Sequence, residues 1–382
     1  MEKVSLVACR EYDYSFVKKS IIESFHNLGG IEKYINKGDK VFLKLNLLMK
    51  KKPEEAATTH PIFTKALAQV LMDYGAKVII GDSPGGPFNE RMLQGVYKVC
   101  GIDKIAHETG STLNYNINSI VVSNPDAKYL KHLTIAEMME DVDKVISVSK
   151  LKTHGLAVFT GAVKNMFGIV PGLIKAEYHL TMPEIKEFSD ALVDICLCGK
   201  PTLSFMDGIV GMEGHGPSAG EPREIGVVLA SPSPYHLDVV ASSIINLKPM
   251  EVPTIQRCVE RKICTGTFED IEIIGEEIDK FIIKDFVIPE TRTIKLVRDW
   301  MPEFLRSAID NSTRPRPLFN HDACIGCRDC EEACPPKVIA MKNNKPVVNL
   351  QGCIRCFCCQ ELCPKKAVDI HRPWVLRTMS KF

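Results

Sequence analysis

Nine of the chain's 15 cysteines lie between Cys324 and Cys363, and eight of them form one pattern written twice. Cys324, Cys327, Cys330 and Cys334 precede Pro335, and Cys353, Cys356, Cys359 and Cys363 precede Pro364, each run reading C-x2-C-x2-C-x3-C-P. The two-residue gaps let three thiolates of one tight loop reach three irons of one cubane. The longer step and the proline set the fourth thiolate aside for the other cluster. The spacing therefore predicts two 4Fe-4S clusters. Cys324, Cys327, Cys330 and Cys363 hold cluster I, and Cys353, Cys356, Cys359 and Cys334 hold cluster II. A zinc ribbon or a disulfide knot would show pairs of C-x2-C instead. The ninth cysteine, Cys358, is read as a bystander thiol beside cluster II, with an alternative ligand as the other reading.

The rest of the chain is ordinary globular sequence. It has 382 residues, 45% hydrophobic and 25% charged, which argues for two or three folding units and against disorder. No apolar run reaches the roughly 20 residues of a membrane span, and Met1 to Arg10 lacks a secretory core, so a cytoplasmic protein without membrane contact is expected. The 48 basic and 47 acidic residues leave a net charge of +1, which argues against a dedicated nucleic-acid binder.

Residues 1–280 read as strands alternating with helices, the signature of an α/β domain with a largely parallel sheet. Strands are expected at 4–9, 41–45, 77–80, 144–148, 202–206 and 225–229, and helices at 63–74, 88–100, 185–198 and 235–247. Residues 281–318 are punctuated by Pro289, Pro302, Pro315 and Pro317 and read as a connector. Residues 319–370 read as a small α+β unit of the bacterial ferredoxin type, and 371–382 as a tail anchored by Trp374.

No G-x-G-x-x-G follows a strand and no Walker loop is present, so neither a Rossmann nor a P-loop nucleotide site is supported. What recurs instead is polar chemistry at strand ends: Lys44 and Asn46, then Asp82 and Ser83, then Lys150, Lys152 and His154, then Asp207. Open α/β sheets bind ligands at the carboxyl edge of the strands. A crevice using Asp82, Lys152, His154, Lys164 and Asp207 is therefore the candidate catalytic site. Lys150, Lys152 and His154 alternate, so an extended strand would turn all three to one face. The loop Gly81, Ser83, Gly85, Gly86 is the candidate anion cradle, offering backbone N–H groups and the start of a helix at Phe88. A small anionic ligand is the expected occupant.

The motifs Thr58-Thr59-His60-Pro61, Gly81-Asp82-Ser83-Pro84-Gly85-Gly86, Lys150-Leu151-Lys152-Thr153-His154, Thr160-Gly161-Ala162-Val163-Lys164-Asn165 and Asp207 to Gly214, together with the cysteine repeat, resemble a family of iron–sulfur proteins. In that family a domain of unknown function precedes a two-cluster ferredoxin domain. The resemblance implies two 4Fe-4S clusters and electron transfer, without a substrate. Residues 319–382 carry ten basic and six acidic side chains, so the ferredoxin segment is basic and suits docking on an acidic redox partner or on its own first domain. Three functions are open at this point: a redox enzyme with a substrate in the crevice, an electron carrier whose first domain docks a partner enzyme, and an isomerase or lyase with structural clusters.

Overall fold

The computed structural model describes residues 1–289 and 315–371. Most of the expected connector, including Pro302, and the tail with Trp374 lie outside these residues.

The first region holds strands β1 (Glu2–Ala8), β2 (Lys40–Lys44), β3 (Lys77–Gly81), β4 (Thr112–Leu113), β5 (Ser119–Ser123), β6 (His132–Ala136), β7 (Lys144–His154), β8 (Val158–Phe159), β9 (Leu203–Glu213), β10 (Glu221–Ser231) and β11 (Ile271–Gly275). All but the β5–β6 hairpin join one nine-stranded sheet of order β11-β1-β10-β9-β7-β2-β3-β4, with β8 paired to β7. Along that order only β10 runs against its neighbours. The carboxyl ends of β2, β3, β7 and β9 therefore share one edge.

The longer helices are α1 (Tyr14–Asn27), α2 (Pro61–Tyr74), α3 (Glu90–Val99), α4 (Ile102–Thr109), α5 (Gly161–Asn165), α6 (Ile174–Thr181), α7 (Ile185–Gly199), α8 (Pro234–Ile244) and α9 (Pro253–Glu260). Alternation along the strands divides them between two faces. Val41 and Leu43 of β2 join the core under α1 and α2, while Phe42 joins the core under α7. Local signals fix the helix ends. His60 caps α2 by accepting the Ile62 N–H on a ring nitrogen, and Gly75 stops it in the left-handed region at φ 111°. The helix expected from Phe88 starts instead at Glu90, because the Asn89 side chain caps it through the Met92 N–H.

The second region is a small α+β unit. Strands β12 (Arg316–Phe319) and β15 (Val368–His371) pair antiparallel, as do β13 (Ile339–Lys342) and β14 (Lys345–Val348). Strand β12 thus draws Arg316 to Leu318, read as connector, into this unit. Short helices α10 (Asp329–Glu332) and α11 (Cys358–Glu361) each carry cysteines. The internal repeat extends to the backbone: Gly326, Arg328 and Lys337 are left-handed, and so are Arg355, Phe357 and Lys366 at the equivalent places of the second half. The two cysteine loops therefore share a tight backbone, which non-glycine residues adopt at a cost of about 1–2 kcal/mol each.

Helix α11 docks this unit on the first. Ser218 Oγ donates to the Glu361 carbonyl at 2.6 Å, and the Gln360 amide to the His215 carbonyl at 3.1 Å. Lys366 Nζ donates to the Gly220 carbonyl at 3.0 Å.

Candidate functional site

A cavity opens at the carboxyl edge of the sheet and is closed by the second region. The structure brings Lys44, Asp82, Lys152, His154 and Lys164 to its wall, together with Ser83, Gly85 and Gly86. Gly81, at the end of β3, is not part of the wall. From the other side come Cys358, Glu361 and Leu362 of the ferredoxin unit.

Helix α5 brings Lys164 and Asn165 to this wall. Buried Asp238 of α8 accepts the N–H groups of Ala162 at 2.5 Å and Val163 at 3.1 Å, capping α5 from outside its own chain segment. Gly161 is left-handed at φ 63°, and a Cβ there would fall 2.4 Å from the Asp238 carboxylate. Only glycine lets the cap come this close. Asn165, at the end of α5, then ties the end of β2 to β7. Its amide donates to Ser147 Oγ at 2.9 Å, and its Oδ1 accepts from Lys44 Nζ and from the Asn46 amide, each at 3.1 Å. Lys44 Nζ also meets Asp82 at 2.7 Å, both side chains being buried. Burial drives the Lys44 pKa down, and Asp82 opposes that. With the Leu45 carbonyl as a third partner at 2.7 Å, Lys44 is a saturated frame residue.

Lys152 and Lys164 are different. Among the described residues Lys152 Nζ has one acceptor, the Ala57 carbonyl. Burial, and then the neighbouring Lys164, push its pKa down to about 7. Lys164 is half-buried and makes no hydrogen bond or close ion pair among the described residues. Its ammonium lies 5.4 Å from the centre of the Phe167 ring. Burial lowers its pKa as well. Thr160 Oγ1 and Asn46 Oδ1 are buried in the same wall without a hydrogen-bond partner among the described residues. Buried polar atoms are rarely left so unless something polar meets them.

His154 crosses the gap between the regions. Its Nδ1 accepts the N–H groups of Leu156 and Ala157, both at 3.1 Å, so the ring proton sits on Nε2. Nε2 lies 3.0 Å from Glu361 Oε1. Burial pushes His154 down to about 4. Burial also works against ionised Glu361, but His154 and Lys164 outweigh it and hold the carboxyl at about 2. A neutral imidazole facing a carboxylate is the state consistent with a locked Nδ1 acceptor.

Two expectations are corrected. Asp207 does not reach the cavity. Its carboxylate pairs with Lys150 at 2.9 Å, takes the Tyr12 hydroxyl at 2.7 Å and accepts the His60 N–H at 3.0 Å, a buried cluster of its own. Lys150 goes with it, because the pairing of β7 with β9 jumps from Lys150–Asp207 to Lys152–Met212 and breaks the alternation there. The loop 81–86 is also less free than a cradle requires. The Ser83 N–H donates to the Gly168 carbonyl and the Gly85 N–H to the Leu48 carbonyl. Ser83 instead contributes its oxygens to Lys175, whose pKa burial pushes down to about 7. Lys175, His179 and Glu361 are cavity residues that sequence reasoning missed. Glu361 is legible only once α11 is docked.

The cysteines surround two further spaces. Cys334, Cys353, Cys356 and Cys359, with Cys358, ring one. Cys324, Cys327, Cys330 and Cys363 ring the other. Among the described residues no three His, Cys, Asp or Glu side chains are grouped to bind one metal ion. Thiols standing around a space, walled by Pro, Val and Ile, suit a multi-iron core instead. Backbone N–H groups already point at sulfur, from Gly326 to Cys324 Sγ at 3.4 Å and from Ala367 to Cys363 Sγ at 3.2 Å. Such donors stabilise thiolate ligands. The residues present fit 4Fe-4S binding.

Residues 41–243 match the family described as a domain of unknown function, DUF362, and residues 316–364 match the 4Fe-4S dicluster domain. The chain is 30% identical over 308 residues to a thylakoid-associated protein of Synechocystis sp., covering 80% of this chain and 93% of that one. Among solved structures, it is similar to the lactate racemase apoprotein of Thermoanaerobacterium thermosaccharolyticum, with a TM-score of 0.40, 14% identity and coverage of 61% of this chain and 55% of that one. A Thermotoga maritima protein matches with a TM-score of 0.34 and 14% identity over 56% of this chain and 54% of its own. The chain thus spans little more than half of either structure. No helix among the described residues is long and apolar enough to cross a membrane.

Proposed function

As the chain belongs to the DUF362 family and carries a 4Fe-4S dicluster domain, we propose that it is a redox enzyme acting on a small anionic substrate in the inter-domain cavity. Two 4Fe-4S clusters, when bound, supply one-electron reduction. Cys324, Cys327, Cys330 and Cys363 would hold cluster I, and Cys334, Cys353, Cys356 and Cys359 would hold cluster II. The single observation that carries this reading is the shared wall: Cys358 lines both the substrate cavity and the cysteine-ringed space for cluster II. A mere docking module would present an apolar patch without convergent charge. Here ammonium groups without an ion-pair partner among the described residues converge on the cavity with orphaned hydroxyl and amide oxygens.

The chain's own residues divide the work. Lys164 and Lys152 bind and orient the anion, and Thr160 Oγ1 supplies a hydrogen bond to it. Phe167, Leu173 and Leu362 exclude water. Lys152 Nζ, with a pKa near 7, holds a proton that a reduced product needs. Lys44, Asp82 and Asn165 position these groups without touching the substrate. Electrons enter from an acidic redox protein. Cys327 of cluster I is exposed, and residues 319–382 taken together carry ten basic against six acidic side chains.

The test uses anaerobically purified protein, chemically reduced and mixed with fractions of small anionic metabolites. The acceptor restores the oxidised absorption of the clusters. Lys152→Gln and Lys164→Gln should slow that recovery at least about 100-fold, the scale of a lost charge-stabilising group, with iron content unchanged. Recovery at the parent rate in both variants would remove the cavity from the reaction.

A further inference from the structure

The cavity wall holds more positive than negative side chains. Lys44, Lys152, Lys164 and Lys175 stand against Asp82 and Glu361. Asp82 is taken up by Lys44 at 2.7 Å and Glu361 faces His154 at 3.0 Å. Lys175 is wrapped by neutral oxygens of Ser83 and Pro84. Lys152 and Lys164 have no carboxylate within ion-pair distance among the described residues, Glu361 acting on both from farther off, and both lie in the wall that α11 completes. Immediately behind α11, Cys358 and Cys359 border the space that suits cluster II.

Two kinds of negative charge draw on the same ammonium groups: an anion in the cavity, and an electron added behind α11. We propose that they compete, so that anion binding in the cavity and reduction of cluster II are antagonistic, with Lys164 as the principal shared group. The inference rests on cluster II being the one beside the substrate cavity, as proposed above. Linkage makes the effect reciprocal: whatever affinity the anion loses on reduction, the midpoint potential loses on anion binding. Unit charges about 10 Å apart at an effective dielectric near 20 give an effect of roughly tenfold in affinity. A tenfold loss corresponds to a fall of about 59 mV for one electron. The bound substrate thereby makes cluster II a stronger reductant, and without substrate the electron is held at the higher, less reactive potential.

The redox event is a one-electron exchange. Cluster II gains the electron that a low-potential mediator loses, no covalent bond forms or breaks, and the anion is held less tightly afterwards. The test is a mediator titration of the full chain with both clusters in place, followed by electron paramagnetic resonance. It is run in chloride and then in inorganic phosphate or succinate at matched ionic strength. One of the two reduction waves should move down by about 59 mV per tenfold change in affinity, and the other should stay. Lys164→Gln should lower the moving wave in chloride and remove most of the phosphate shift. Lys152→Gln should do the same to a smaller degree, and it serves if Lys164→Gln fails to load iron. The proposal is overturned if neither wave moves in phosphate or succinate, or if the shift persists undiminished in both variants. Reoxidation that depends on Lys164 without any shift in potential would sink the linkage and leave the proposed reaction standing.

Discussion

Gly168→Ala should be destabilising although the backbone at Gly168 has no left-handed conformation to protect. A Cβ there would fall 2.1 Å from Lys44 Nζ, 2.2 Å from Asp82 Oδ1 and 2.4 Å from Lys44 Cε. A lysine tip could ordinarily swing aside. Here it is 1% exposed and held by Asp82, Asn165 and the Leu45 carbonyl, so it has nowhere to go. Breaking a buried ion pair costs about 3–5 kcal/mol. Replacing glycine by alanine returns about 0.4–1 kcal/mol through the unfolded chain. The net loss is therefore roughly 2–4 kcal/mol, or a fall of about 4–8 °C in Tm at about 2 °C per kcal/mol for a domain of this size. Differential scanning calorimetry on anaerobic protein reads it, with iron content as the control for the ferredoxin unit. A Tm within about 1 °C of the parent, a shift of only a few tenths of a kcal/mol, would refute the claim that the Lys44–Asp82 pair is a fixed frame.

Further outcomes are expected elsewhere. Anaerobic protein should contain about eight iron and eight acid-labile sulfides per chain, and Cys358→Ser should leave both counts unchanged in chemical analysis. Sulfate affinity should fall as pH rises through about 7, because burial has brought the pKa of cavity residues Lys152 and Lys175 there and only their protonated forms attract an anion whose own charge stays constant. Calorimetric titration across that range should show a flatter profile for Lys152→Gln. Asp238→Ala should release α5 and with it Lys164, weakening phosphate binding although residue 238 never meets the ligand. Tyr12→Phe removes a partner from buried Asp207 and Lys150 and should cost about 1–3 kcal/mol in chemical denaturation. It should leave phosphate affinity untouched, since that cluster lies outside the cavity.

Much of this architecture is written locally. The cysteine spacing already implies the crossed grouping of cysteines around the two spaces, because the x3 step and proline are features of neighbouring residues. The strand-end placement of Lys44, Asp82, Lys152 and His154 follows from a parallel sheet, and their convergence needs no knowledge of side-chain contacts. What stayed hidden depends on register and docking. Lys150 and Lys152 look equivalent in an alternating segment until the β7–β9 pairing jumps between them. Ser83 and Gly85 look like free N–H donors until Gly168 and Leu48 accept from them. Glu361 sits two residues before a cluster cysteine, and only the packing of α11 on the Gly214–Glu221 loop delivers it to His154.

The most direct test of the account is where a bound anion sits relative to the clusters. Phosphorus NMR of inorganic phosphate with reduced, paramagnetic holoprotein measures this through relaxation enhancement. The account predicts strong enhancement that Lys152→Gln and Lys164→Gln greatly reduce, because the anion binds against the wall shared with cluster II. Phosphate that binds without enhancement, or enhancement that survives both substitutions, would contradict it.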